Sequence, residues 1–148
     1  MSRILFRALF AIVLGISAFA AHAQMTPVGL WRTIDDKTGQ PKAEIRITAK
    51  ANGELSGVIE KSLLPPSGEP NCDQCTDDRK GKPKMGMEII RGVRKVEGKD
   101  VWDGGKILDP ENGSSYNARL TPIEDGKKLE MRGSIAFIGR TQTWVRVQ

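Results

Sequence analysis

Between Lys42 and Ala49 the chain alternates strictly, with Ala43, Ile45, Ile47 and Ala49 apolar and Lys42, Glu44, Arg46 and Thr48 polar. The same period of two sets Tyr116, Ala118 and Leu120 on one face of 115–121. It also sets Leu129, Met131, Gly133 and Ile135 on one face of 128–135. Successive side chains of a strand point to opposite faces, so this pattern predicts half-buried antiparallel strands. No comparable 3.6-residue stripe follows Ala23. Turn residues punctuate the runs at short intervals, as in Asp35–Gly39, Asn52-Gly53, Glu97–Lys99, Asp109–Gly113 and Glu124–Gly126. Asn52-Gly53 suits a tight hairpin, and Asp109-Pro110 suits the start of a type I turn with Gly113 as its left-handed exit. Eight strands are predicted, over about 28–34, 42–50, 53–61, 85–96, 100–108, 114–121, 128–136 and 140–147. Eight short strands without a long helix predict an all-β fold, an antiparallel up-and-down barrel or a tight sandwich. Closure into a barrel leaves no exposed edge, which favours it for such a chain.

One stretch, 63–84, breaks the alternation. It holds Pro65, Pro66, Pro70, Pro83 and both cysteines, and a loop this long is usually functional or disordered. Its charge is divided, with four acids and no base over 69–78, then seven bases and one acid over 79–95. Cys72 and Cys75 form a C-x-x-C pair. A redox role normally places such a pair at a helix start beside a βαβ unit, and zinc would need two further Cys or His ligands. Haem attachment would need a His where Thr76 stands. The expected role is a structural disulfide that pins the loop. Asp73, Asp77 and Asp78 lack the ligand order of a calcium loop, and no metal or other cofactor is expected.

The N-terminus changes the charge arithmetic. Arg3 and Arg7, an apolar run from Ala8 to Ala20 and Ala21-His22-Ala23 have the three parts of a cleavable secretory signal over residues 1–23. The run of 13 is short for a span of about 20 residues, and no Cys follows it for lipidation. The expected product, 24–148, is one domain, periplasmic or secreted, with no transmembrane span. Without Arg3 and Arg7 it carries 21 basic against 18 acidic residues, net +3. That mild charge, the compartment and scarce aromatics disfavour nucleic acid as a partner. The single His, His22, leaves with the signal, which removes His-based triads and His-ligated metals from consideration.

The remaining aromatics are Trp31, Trp102, Trp144, Tyr116 and Phe137. On the last strand Arg140, Gln142, Trp144 and Arg146 share one side, and Thr141, Thr143, Val145 and Val147 the other. β-Branched residues usually mark the buried face, so the Val/Thr side is expected inward. The alternative turns the Trp side inward and gives a polar-aromatic lining suited to a ligand. Gly104-Gly105 in mid-strand lets the backbone bend or another group approach closely, and Gly133 and Gly139 flank a strand–turn–strand corner.

Gly29-Leu30-Trp31 at the entry to a small β domain resembles the lipocalin and calycin superfamily. That resemblance implies an Arg from the end of the barrel, Arg140 or Arg146, packed on Trp31 in a cation–π contact that closes one end. A longer ordered series runs through Cys72-x-x-Cys75, Gly86-Met87-x-Ile89-Ile90-x-Gly92 and Trp102-x-Gly104-Gly105-Lys106-Ile107-Leu108-Asp109-Pro110-x-x-Gly113-x-x-Tyr116. It continues with Leu129-x-x-Arg132-Gly133 and Gly139-Arg140-Thr141-Gln142-Thr143-Trp144-x-Arg146. From Gly29 to Arg146 this series resembles the exported bacterial family known as domain of unknown function 2147. The resemblance implies a signal peptide followed by one small lipocalin-like barrel, and carries over no catalytic residues. The chain departs from the family pattern at Ser134, a place more often aromatic.

Three functions follow as expectations. The first is a non-enzymatic binding or accessory protein of the cell envelope, taking a small amphipathic or lipid-like ligand. Its pocket or barrel closure would involve Trp31, Trp102, Lys106, Tyr116, Arg140, Gln142, Trp144 and Arg146. The second is a filled barrel that meets an acidic envelope component through the basic stretch 79–95. The third is a hydrolase using paired carboxylates across a cleft.

Overall fold

The computed structural model describes residues 25–65 and 68–148; the expected signal lies outside them. Eight strands follow one another: β1 Gly29–Ile34, β2 Pro41–Ala49, β3 Leu55–Ser62, β4 Glu88–Lys95, β5 Trp102–Asp109, β6 Ser114–Ile123, β7 Lys128–Ile135 and β8 Ile138–Arg146. Each pairs antiparallel with its sequence neighbours, and β8 returns to β1 through Trp31↔Arg146 and Arg32↔Val145, closing the barrel. The all-β, eight-stranded up-and-down barrel expected from the alternation is what forms.

A meander of this kind puts alternate connections at opposite ends. The β1–β2, β3–β4, β5–β6 and β7–β8 connections share one end, which holds the cavity mouth described below. At the other end the β2–β3, β4–β5 and β6–β7 turns meet the segment before β1 and the residues after β8. Here Trp31, Ile47, Leu55, Val93, Leu120 and Leu129 are all but inaccessible to water and fill the cross-section.

Register shifts at Thr33/Ile34, Glu44/Ile45, Leu55–Val58 and Trp102–Gly105 bend the strands around the cylinder. The last of these uses both glycines singled out in β5. Gly104 takes φ +82, and at Gly105 a Cβ would collide with the backbone of Arg91 and Val93 in β4. Bend and close approach are therefore both present. Gly113, at φ +72, closes the Asp109 turn by donating its N–H to the Asp109 carbonyl at 2.8 Å, and a Cβ there would run into the Gln74 backbone. The β5–β6 turn thus abuts the cysteine loop.

Gly105→Ala is expected to cost about 2–4 kcal/mol, because backbone rather than a flexible side chain must move. Gly98→Ala, at φ +72 with open space around it, should cost only about 1–2 kcal/mol. Urea midpoints at constant m-value would check the ranking.

Candidate functional site: a one-ended cavity

The two halves of the barrel interior differ. Below the closed end the core is solid. Toward the other end lies a cavity of about 840 Å³. Its wall is apolar, with Ile45, Ile59, Ile89, Ile107, Met131 and the Trp144 ring among its lining. Its rim is charged: Lys42 and Arg140 come from strands, Asp35 and Glu111 from turns, and Glu69 and Lys84 from the β3–β4 connection. The filled barrel of the second expectation is met in the sealed half only, since the described residues leave a cavity in this one.

Strand β8 supplies the polar side of the cavity. Its Arg140, Gln142 and Trp144 line the space, while Val145 and Val147 are 42% and 37% exposed. The expectation that Val and Thr face inward is overturned. Register with β7 outweighs the β-branched preference here, because Trp144 and Gln142 stand opposite Leu129 and Met131, which face inward. The Trp144 indole N–H donates to Gln142 Oε1 at 3.1 Å, and Gln142 Nε2 donates to Asp36 Oδ2 at 2.7 Å. Asp36, in the β1–β2 turn, also pairs with Arg140. A polar chain thus climbs from the buried indole to the rim. Tyr116 joins the lining from β6, half-buried against the core, and Gly133 lies beside it.

Other residues grouped with these from sequence lie elsewhere. Trp102 begins β5, so it sits at the closed end, opposite Leu120, with Lys95 Nζ 5.3 Å from its ring centre. It does not line the cavity. Neither does Lys106: Ile107 takes the inward position, and Lys106 points outward to Asn117 Oδ1 at 2.5 Å. Trp31 and Arg146 form the plug of the closed end. The Arg146 guanidinium stacks 4.1 Å from the Trp31 ring centre. It donates to the carbonyls of Thr26 at 2.6 Å, Val28 at 2.9 Å and Gly126 at 2.5 Å. Trp31 Nε1 donates to the Pro27 carbonyl at 2.6 Å, so the segment before β1 is strapped across the end. Burial lowers the Arg146 pKa from its ordinary value, but a guanidinium in this setting stays charged. Of the two arginines considered for Trp31, Arg146 takes the place and Arg140 guards the mouth.

The β3–β4 connection forms one wall of the mouth. Cys72 and Cys75 are joined in a disulfide and wholly buried. Arg79, 6% exposed, clamps the Asp77 carboxylate and donates to the Glu88 carbonyl at 2.9 Å, which ties the loop to the start of β4. Hydrogen bonds from the Arg79 side chain and backbone hold the Asp77 carboxyl down to about 2. At Glu88 burial works against ionisation, yet hydrogen bonds from Ser56, Arg91 and Lys50 outweigh it and keep the pKa low.

These pairings change the meaning of the basic stretch 79–95. Arg79 is met by Asp77, Lys84 by Glu111, Arg91 by Asp78 and Glu88, Arg94 by Glu54, and Lys95 by Asp100 at 3.8 Å. The run of bases is largely neutralised by acids from the preceding run, by Glu88 and by acids in the β2–β3, β4–β5 and β5–β6 turns. Among the described residues no group of three or more His, Cys, Asp or Glu is placed to hold a metal. No described helix is long and apolar enough to cross a membrane.

The model of a bacterial family described as "Uncharacterized protein conserved in bacteria (DUF2147)" matches residues 29–146. The chain belongs to that family. Among solved structures it is similar to protein HP1028 of Helicobacter pylori, described as belonging to the lipocalin family. The TM-score is 0.69 at 18% identity, over 82% of each chain. At that identity the likeness is one of fold, and the fold is a lipocalin-like barrel. None of the curated proteins matches this DUF2147 chain. Two features at the mouth lay beyond sequence reasoning: Asp36 as the partner of both Gln142 and Arg140, and the apolar β7–β8 tip. A turn of Ala-Phe where Asn-Gly is usual was the available signal for the second.

Two outcomes are expected. Arg146→Ala should lower stability by about 3–4 kcal/mol through loss of the stacking and of several charged hydrogen bonds, and Arg146→Lys should recover only a minor part. Denaturant unfolding measures both. Because the Asp77 pKa is depressed, its contribution is complete above about pH 4, the unfolded range, and is lost as pH falls through about 2. Carboxyl NMR should show that low midpoint, and Arg79→Met should return it to the ordinary range of about 3.9.

Proposed function

We propose that this protein is a non-enzymatic binder of a small amphipathic or lipid-like molecule in the bacterial cell envelope. The observation that carries this reading is the cavity: about 840 Å³, apolar in its wall, charged at its rim and open at one end. Ligand pockets commonly measure about 300–1,000 Å³ and combine such a wall with a few placed polar groups. An apolar tail would lie against Ile45, Ile59, Ile107 and Met131, with a polar head near Arg140, Gln142 and the rim lysines. The lipocalin-like fold is compatible with this use.

The non-enzymatic part is supported by the engagement of three of the acids at the rim. Asp35 accepts hydrogen bonds from Lys37 and Thr38 within its turn, Asp109 from Glu111 and Asn112, and Glu111 pairs with Lys84. The envelope location rests on the signal-like residues 1–23 and on the disulfide, which suits an oxidising compartment.

Titration with single-chain lipids, fatty acids and cell-wall fragments should shift Trp144 emission, and Trp144→Phe should remove most of the change. Gly133→Phe places a ring in the cavity from a position with only ordinary contacts nearby. It should weaken binding at least tenfold without altering the circular dichroism of the barrel. No response from any compound class would reject the reading.

A further inference from the structure

The β7–β8 hairpin turns in two residues, Ala136 and Phe137, between the paired Ile135 and Ile138. Hairpin turns of this length normally use Asn or Gly, because a left-handed φ is required. Here Ala136 takes that conformation at φ 50. Phe137 is 91% exposed, Ile138 73% and Ile135 59%. Phe137 is the chain's only phenylalanine beyond residue 19, and it occupies one of the most water-exposed points of the barrel. The four residues Ile135–Ile138 therefore form an apolar prong that no other described residue covers. A contiguous apolar projection of this kind marks an interaction site.

What surrounds the prong indicates its partner. On the outer face below it, Arg119 of β6 and Arg132 of β7 are directly opposite one another, an arrangement of like charges that is unfavourable by itself. Asp103 offsets Arg119 through a 2.6 Å ion pair. Arg132 has no acidic partner among the described residues, and its side chain reaches only Thr141 Oγ1, at 3.5 Å. Its guanidinium lies over Gly139, where a Cβ would approach it to 2.7 Å. Arg119, Arg132, Asn117, Ser134 and Phe137 border a shallow polar pocket of about 170 Å³. Lys106 stands beside it on Asn117. An apolar tip above guanidinium groups matches the two layers of a membrane surface, acyl chains below an anionic phosphate plane.

We propose that the Ile135–Ile138 tip and the Arg119–Arg132 pair dock this barrel onto an anionic phospholipid bilayer, with Phe137 entering the acyl boundary and Arg132 engaging headgroup phosphate. The tip shares its end of the barrel with the cavity mouth, so docking turns the mouth toward the lipid. The surface lies outside the cavity, and its function stands whether or not the cavity is occupied.

Cosedimentation with vesicles of phosphatidylglycerol and phosphatidylcholine, against phosphatidylcholine alone, tests this. Wild-type protein should bind the anionic vesicles and release as salt rises. Phe137→Ser with Ile138→Ser should weaken binding at least tenfold, and Arg132→Gln should remove most of the salt dependence. Phe137→Trp should bind like wild type and shift its emission to the blue on the vesicles. These positions are exposed, so unchanged thermal unfolding would establish that the variants fold. Wild-type protein that ignores anionic vesicles, or variants that bind as well as it does, would overturn the proposal. Self-association abolished by Phe137→Ser, without vesicle binding, would assign the tip to a second copy of the chain instead.

Discussion

A sheet becomes a barrel only when its first and last strands meet, and in this chain that meeting is organised around a single stacked pair. Arg146 on β8 lies over Trp31 on β1, and the same two residues are register partners across the seam. A guanidinium in this position performs three tasks that an apolar residue could not combine. It covers the indole face, it binds carbonyls of the segment before β1, and it reaches the β6–β7 turn at Gly126. The C-terminal residues add backbone bonds of their own, from Leu30 to Gln148 and from Val147 to Leu30. Closure, the burial of Trp31 and the anchoring of the segment before β1 and of the C-terminal residues are one interaction network.

That network permits the rest of the interior to be unlike a core. With one end sealed and solidly packed, the opposite half can hold open volume and buried polarity, as the Trp144–Gln142–Asp36 chain does. A disulfide, a buried arginine and a tight turn hold the mouth in shape from outside. Solid packing is concentrated at one end and access at the other.

This arrangement also explains which features were readable from the residues. Strands β2, β6 and β7 announced themselves because alternation and turn residues are local signals. The orientation of β8 was not readable, because the choice of face is made by its register against Leu129 and Met131 of β7 and not by its own residues. Arg140 and Gln142 face inward with Trp144, into space that other strands leave there. Trp102 and Trp144 are the same residue type on similar strands, yet one ends in the sealed half and the other in the open half. Only the strand count, taken with closure, separates them. The divided charge of 69–95 was visible as composition, but its pairing with Glu54, Glu111 and Asp100 depends on neighbours brought by the fold.

The seam between β1 and β8 has a consequence for the order of events. Seven of the eight strand pairings join neighbours in sequence, and each hairpin can form as soon as its two strands exist. The eighth joins residues 31 and 146, near the two ends of the described chain. A chain that emerges N-terminus first, from a ribosome or from a membrane channel, therefore leaves the outer edge of β1 unsatisfied until β8 has followed it. The indole of Trp31 waits equally long for its cover. During that interval the growing sheet is an open, adhesive ribbon, and the arrival of β8 locks it shut.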